Sequence, residues 1–141
     1  MNSFIKFPLC LAIIVSVLFS SCNGGEKEIQ KIDPGFGQYI SGFTSGVVSK
    51  KSVFRIGLAS DSELFTSGGE EITEELFSFS PSVEGKAYWV NGHTVEFRPD
   101  EMLQSGIQYS VEFELGKVLT VEEQFQEFEY LVHTIKQNLE V

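Results

Sequence analysis

The sequence predicts an all-β fold, an antiparallel β-sandwich standing behind an export leader and a tether. Three observations carry the prediction. Apolar and polar residues alternate with a period of two through most of the chain after Tyr39, the mark of strands with one buried and one wet face. Turn-forming pairs separate those runs at short intervals, as a sandwich requires. Thirteen Phe and 13 Gly among 141 residues favour a compact, turn-rich β protein over a helical bundle. One domain fits this length and two ordinary ones do not.

Composition also excludes. Twenty acidic against 10 basic side chains give a net charge of −10. No basic stripe interrupts that field, which repels phosphate backbones, so no nucleic-acid partner is expected. Two Cys and two His leave little material for a metal centre or a Cys–His catalytic pair, and no metal or other cofactor is expected.

Residues 1–21 read as a signal peptide. Lys6 is the one charge in residues 1–6, and a mostly apolar run of 13 residues, 7–19, follows it. That run is too short to cross about 30 Å of hydrocarbon, which needs about 20 residues, and it fits the apolar region of an export signal. Leu18-Phe19-Ser20-Ser21-Cys22 comes next. This resembles the lipobox of bacterial lipoproteins, with Phe19 where Leu is usual. The resemblance implies that Cys22 is acylated and becomes the first residue of the mature protein. Cys10 lies inside the discarded run, so Cys22 has no disulfide partner, and thioether lipidation accounts for an unpaired exported thiol. Two or three acyl chains anchor stably where one anchors marginally. The expected location is the cell envelope, lipid-anchored to a bacterial membrane and facing the periplasm or the outside. Residues 22–37 are then the lipidated cysteine and a flexible tether, with Gly24-Gly25, Glu26-Lys27-Glu28 and the breaker Asp33-Pro34-Gly35.

The body, residues 38–141, reads as strands. In residues 53–59, Phe54, Ile56 and Leu58 alternate with Val53, Arg55 and Gly57. Phe77 and Phe79 alternate with serines, and Val95 and Phe97 face away from Glu96. Tyr109, Val111, Phe113 and Leu115 face one way, Ser110, Glu112 and Glu114 the other. Asn91-Gly92 marks a hairpin between strands near 87–90 and 94–98, because both residues accept positive φ. Pro99-Asp100 ends the second strand, and Ser105-Gly106 leads to the next. Trp89 belongs on the inner face with Ala87, filling the space between sheets.

Two segments read less simply. Clustered Glu disfavours a strand over residues 70–76, so a short helical turn or loop is expected there. Val121, Phe125, Phe128, Val132 and Ile135 recur at helical spacing, and Thr120 with Glu123 would form a capping box. Phe128, Tyr130, Val132 and Thr134 also alternate as a strand should. Both periods fit; a sandwich needs a closing strand, so strand is expected over about residues 127–135.

Residues capable of chemistry are sparse. Gly42-Phe43-Thr44-Ser45-Gly46 has the wrong spacing for a nucleophile elbow. His93 falls in a hairpin turn and His133 in the last strand, both read as solvated or structural. Glu70, Glu71, Glu74 and Glu75 lack the carbonyl-and-carboxylate loop of a Ca²⁺ site, and the neighbours Asp100 and Glu101 seldom could converge on one atom. No enzyme is expected. If the chain is instead a binding module, exposed aromatics should carry it, with Tyr88, Phe65 and Phe43 as candidates.

The run Phe77-Ser78-Phe79-Ser80-Pro81, then Gly85, Trp89, Val95-Glu96-Phe97-Arg98-Pro99, Leu103, Gly106 and Tyr109-Ser110-Val111 resembles the Ig-like modules of bacterial exported proteins. That resemblance implies an Ig-like antiparallel sandwich of about seven strands. It also implies a corner role for Tyr109, whose hydroxyl ties a loop to a strand. Trp89, Tyr109, Phe97 and Phe113 are the expected structural core.

Residues 38–141 are moreover similar to the N-terminal domain of Bacteroidetes-type bacterial alpha-2-macroglobulin lipoproteins. Tyr39-Ile40-Ser41, Thr44-Ser45-Gly46-Val47-Val48-Ser49, the 55–60 strand with Asp61, the run from Phe77 to Pro81, Phe97-Arg98-Pro99-Asp100 and the ending Thr134-Ile135-Lys136-Gln137-Asn138 carry the likeness. Members of that family trap proteases with a bait region and a Cys-x-Glu-Gln thioester. Neither feature is present, since Glu123-Gln124 follows Val121 where the thioester needs Cys. The likeness implies a leading structural domain that tethers and spaces. Its partners would be the membrane, following macroglobulin domains and, through the full-length protein, proteases. The alternative is a cell-surface Ig-like adhesin or glycan-capture lipoprotein.

Overall fold

The computed structural model describes residues 30–136; the expected signal peptide, Cys22, the first part of the expected tether and residues 137–141 lie outside the described residues. Nine strands form: β1 (Ile40–Phe43), β2 (Gly46–Val48), β3 (Phe54–Leu58), β4 (Glu71–Ile72), β5 (Phe77–Ser80), β6 (Gly85–Asn91), β7 (Thr94–Pro99), β8 (Gln108–Phe113) and β9 (Phe128–Thr134). One sheet has the order β1-β3-β7-β6-β4 and the other β2-β9-β8-β5. The chain is an Ig-like β-sandwich, with the ABED-type sheet facing the CFG-type sheet.

The strand count exceeds the expected seven because β2 and β4 are separate short rungs. Pairing is antiparallel except between β2 and β9, which run parallel with Gly46, Val47 and Val48 opposite Val132, His133 and Thr134. The first strand thus splits between the two sheets. Thr44 closes the β3 pairing, its amide donating to the Arg55 carbonyl. Gly46 then turns the backbone through φ +74°, a conformation that favours glycine. Within residues 70–76, Glu71 and Ile72 are strand, paired with Tyr88 and Ala87. The rest of that segment is loop, one of the two expected forms; at Glu71 and Ile72 the open edge of β6 supplies backbone partners that outweigh the weak strand preference of glutamate.

The inner faces close over aromatic rings. Phe54, Phe77, Phe97 and Phe113 are buried, Phe79 packs against them, and Trp89 lies buried beside Ala87 with Phe65 edge-on at 5.9 Å. A second cluster joins Phe36, Phe43, Phe125, Phe128 and Tyr130. Phe36 belongs to a 3-10 turn, Pro34–Gln38, capped by the Asp33 side chain. Its ring sits 4.9 Å from both Phe125 and Phe128. The folded body therefore begins before residue 38, because Ile32 and Phe36 pack on the core and Gln30 donates to the Glu129 carbonyl.

Strand parity wins in the closing segment. Phe128, Tyr130, Val132 and Thr134 point inward, while Ile135 is 51% exposed. Helix is confined to the 3-10 turn Glu123–Phe125, preceded by Glu122 without a side-chain cap, so the Thr120–Glu123 box does not form. The hairpin falls at Gly92-His93, where Asn91 opposes Thr94. Neither Asn91 nor Gly92 adopts positive φ. A bulge between Trp89 and Asn91 supplies the twist instead, and the Asn91 side chain accepts from the His93 amide. A Cβ at Gly92 would lie 2.8 Å from Asp61 Oδ1, so a larger residue there would displace the exposed Asp61 side chain.

The two poles of the sandwich differ. At the arrival pole, Gln30, Phe36 and Tyr39 meet the start of β9 and Phe125. At the departure pole, β9 ends against the 103–107 loop. Thr134 is buried and donates from Oγ1 to the Gln104 carbonyl at 2.5 Å. The Gln104 amide donates to the Tyr109 hydroxyl at 3.1 Å, a tyrosine corner tying loop to strand.

Candidate functional site

Cys22, the residue implied to carry lipid, lies outside the described residues. Trp89, Phe97, Tyr109 and Phe113 are all in the core. Two of the candidate surface aromatics are turned to packing: Phe43 contacts Phe128 and Tyr130, and Phe65 contacts Trp89. Tyr88 alone of the three stays on an outer face.

That outer face holds the most organised polar group. Arg55 on β3, Glu96 on β7, Tyr88 on β6 and Glu71 on β4 occupy successive cross-strand positions. Arg98, two residues beyond Glu96, sits opposite Lys86. Glu96 accepts from Arg55 Nε at 2.6 Å and from Arg98 Nε at 2.7 Å. The Arg98 guanidinium lies 4.3 Å from the Tyr88 ring centroid, within cation–π range. Lys86 pairs with Glu71 at 3.0 Å. The Glu96 side chain is 6% exposed, whereas Arg55 and Arg98 are 60% and 51% exposed. The acid lies underneath and the guanidiniums on top. Burial alone would hinder ionisation of Glu96, and the two arginine hydrogen bonds and charges outweigh it, holding the carboxyl below its usual range.

The opposite sheet carries the reverse charge. Glu112 faces Glu129 directly across the β8–β9 ladder. Carboxylate oxygens of Glu112, Glu114 and Glu127 lie within 4.8 Å of one another. Partial burial first, then the charges of Glu127, Glu114 and Glu129, raise the Glu112 pKa. These are the acidic oxygens near enough to share a cation among the described residues, yet all three residues are partly or fully open to solvent, and exposed acids converge in this way without an ion.

The other candidates are dispersed. His93 Nδ1 lies 3.0 Å from Asp61 Oδ1 in the hairpin. His133 faces outward on β9 opposite Gln108 and Val47. Glu70 is held by the Thr66 and Ser67 hydroxyls, Glu71 by Lys86, and the Asp100 amide donates to the Glu84 carbonyl. The sequence marks Arg55 and Glu96 as outward positions on separate strands; their meeting depends on the β3–β7 register, for which a local pattern has no signal.

No family model matches the chain, and no curated protein matches it. Among solved structures it is similar to L,D-transpeptidase 3 from Mycobacterium tuberculosis, determined in complex with a faropenem-derived adduct. Identity is 12% and the TM-score 0.47, over 71% of this chain and 39% of that one. The chain thus spans less than half the length of that protein, and a likeness this remote carries no function across.

Proposed function

We propose that this chain is the leading structural domain of a membrane-anchored, alpha-2-macroglobulin-like protease inhibitor. In this reading it is a lipid-tethered spacer without bait region or thioester, and no catalytic step is assigned to it. The observation that supports the reading is the polarity of the sandwich. The tether side packs at the start of β9, and the chain leaves beyond its end. A module with its two attachments at opposite poles holds a downstream domain away from the bilayer. Cys22 supplies the anchor in the same reading.

Antibodies against residues 30–136, applied to envelope fractions, test it. The expected band has the mass of a multi-domain protein and shifts upward on exposure to protease, and Cys22→Ala moves it out of the membrane fraction. A band of the 141-residue chain alone, unchanged by any protease, overturns the inhibitor reading. Membrane retention of Cys22→Ala overturns the anchor. A second reading, a cell-surface binding or glycan-capture module, is favoured by one observation, the outward Tyr88 with its stacked arginine.

A further inference from the structure

We propose that the Arg55–Arg98–Tyr88 platform on the outer face of the first sheet is a subsite for the anionic group, carboxylate or sulfate, of an acidic glycan. This deepens the second reading and is independent of whether the chain leads a protease inhibitor. The chain has two arginines, and the fold brings both to one carboxylate. Glu96 accepts the Nε–H of each. A guanidinium carries five N–H donors in a rigid fork, so four on each arginine are not taken by Glu96. Because Glu96 is covered and the arginines are half open, an approaching ligand meets guanidinium first.

The arrangement is also preorganised. Glu96 fixes both arginine side chains, and the Tyr88 ring supports Arg98 from the side. Little conformational freedom is left to lose on binding. Lys86, opposite Arg98, is already paired with Glu71, which leaves the two arginines to meet the anion. Planar guanidinium pairs match carboxylate and sulfate oxygens two at a time, which a lysine ammonium does not.

The position selects the ligand class. β3, β7 and β6 are the interior strands of their sheet, so the patch offers neither a free strand edge for an extended peptide nor a groove for a helix. The ligand is read by side chains alone. A net charge of −10 disfavours polymers as densely charged as nucleic acid, whereas a glycan brings isolated anions at sugar spacing, one to a subsite.

Affinity electrophoresis of the detergent-extracted full chain tests this, in gels containing polygalacturonate, the sparsely sulfated galactan κ-carrageenan or neutral dextran. Retardation by an acidic polymer and none by dextran is expected; polygalacturonate alone identifies carboxylate, carrageenan alone identifies sulfate. Arg98→Lys keeps the charge but loses the fork, and Tyr88→Leu removes the ring beside it. Each should weaken retention at least fivefold, with Trp89 fluorescence confirming the fold and Arg55→Lys replacing Arg98→Lys if that variant unfolds. The double variant Lys50→Ala, Lys51→Ala should bind as wild type. No retardation by either acidic polymer, equal retardation by dextran, wild-type affinity in the platform variants, or an equal loss in the lysine variant overturns the proposal.

Discussion

Two tyrosines on adjacent strands of one sheet should answer the same substitution with opposite sign. Tyr130 on β9 is fully buried, and its hydroxyl has no hydrogen-bond partner among the described residues; burial drives its pKa far upward. A buried, unsatisfied polar group costs about 1–3 kcal/mol. Tyr130→Phe removes that cost. It keeps the ring contacts to Phe43 at 5.0 Å and Phe128 at 5.4 Å, so no packing is lost with it. Tyr109, opposite Val132 on β8, accepts from the Gln104 amide. Tyr109→Phe breaks that bond and strands a part-buried donor, so it should destabilise by about 1–2 kcal/mol. The assay is urea unfolding followed by fluorescence of the single, buried Trp89. Tyr130→Phe should raise the midpoint at unchanged slope, by about 1 kcal/mol of stability, equivalent to about 4 °C or more in Tm. A loss of 1 kcal/mol or more in Tyr130→Phe would show that its hydroxyl is paired, and the reasoning would fail.

Three further predictions use urea unfolding, followed by Trp89 fluorescence or, for the variant that lacks Trp89, by circular dichroism. Glu112→Gln should stabilise at pH 7 by up to about 1 kcal/mol, since like charges directly opposite on a sheet repel. The raised pKa sets the sign: the folded state binds this proton more tightly than the unfolded chain, so its contribution is full below the ordinary glutamate range and is lost as pH rises through the folded value. The gap between Glu112→Gln and wild type should therefore close by about pH 4, and a gap independent of pH would contradict this. Gly46→Ala meets no atom within 4 Å but must hold φ at +74°, a cost of about 1–2 kcal/mol. Gly37→Ala, equally open and without positive φ, is its control, and equal effects would refute a backbone cause. Trp89→Ala should cost about 3–5 kcal/mol by opening a core cavity, and a change under about 1 kcal/mol would place the ring outside the core.

The layers of the sandwich are legible in the sequence because burial imposes period two. Phe54, Ile56 and Leu58, or Tyr109, Val111 and Phe113, show a buried face without any knowledge of their neighbours. The closing strand is legible for the same reason once Tyr130 and Thr134 are weighed, since a helix would leave both facing solvent. Pairing is another matter. Nothing local in Gly46-Val47-Val48 states that it joins β9 rather than continuing beside β3, and nothing in Glu71-Ile72 states that β6 has an open edge for it. Phe36 reads as part of a tether because the turn residues around it are genuine; its anchoring depends on Phe125 and Phe128, some 90 residues away in sequence. Glu96 shows the limit most clearly. Its alternation with Val95 and Phe97 marks it as outward, and outward it is, yet two arginines from other positions cover it almost completely. Asn91-Gly92 marks the hairpin correctly while the stated mechanism, positive φ, is replaced by a bulge.

The parallel rung of β2 on β9 sets how the molecule bears mechanical load. In a chain held at the arrival pole and attached at the departure pole, tension would draw the first strands one way and the last strand the other. Along β2 and β9 that pull runs parallel to the strands and across their hydrogen bonds. Gly46, Val47 and Val48 are then sheared from Val132, His133 and Thr134 together, instead of being peeled apart one rung at a time as an antiparallel hairpin opens from its end. The short rung that interrupts an otherwise antiparallel design is the clamp through which force would have to pass.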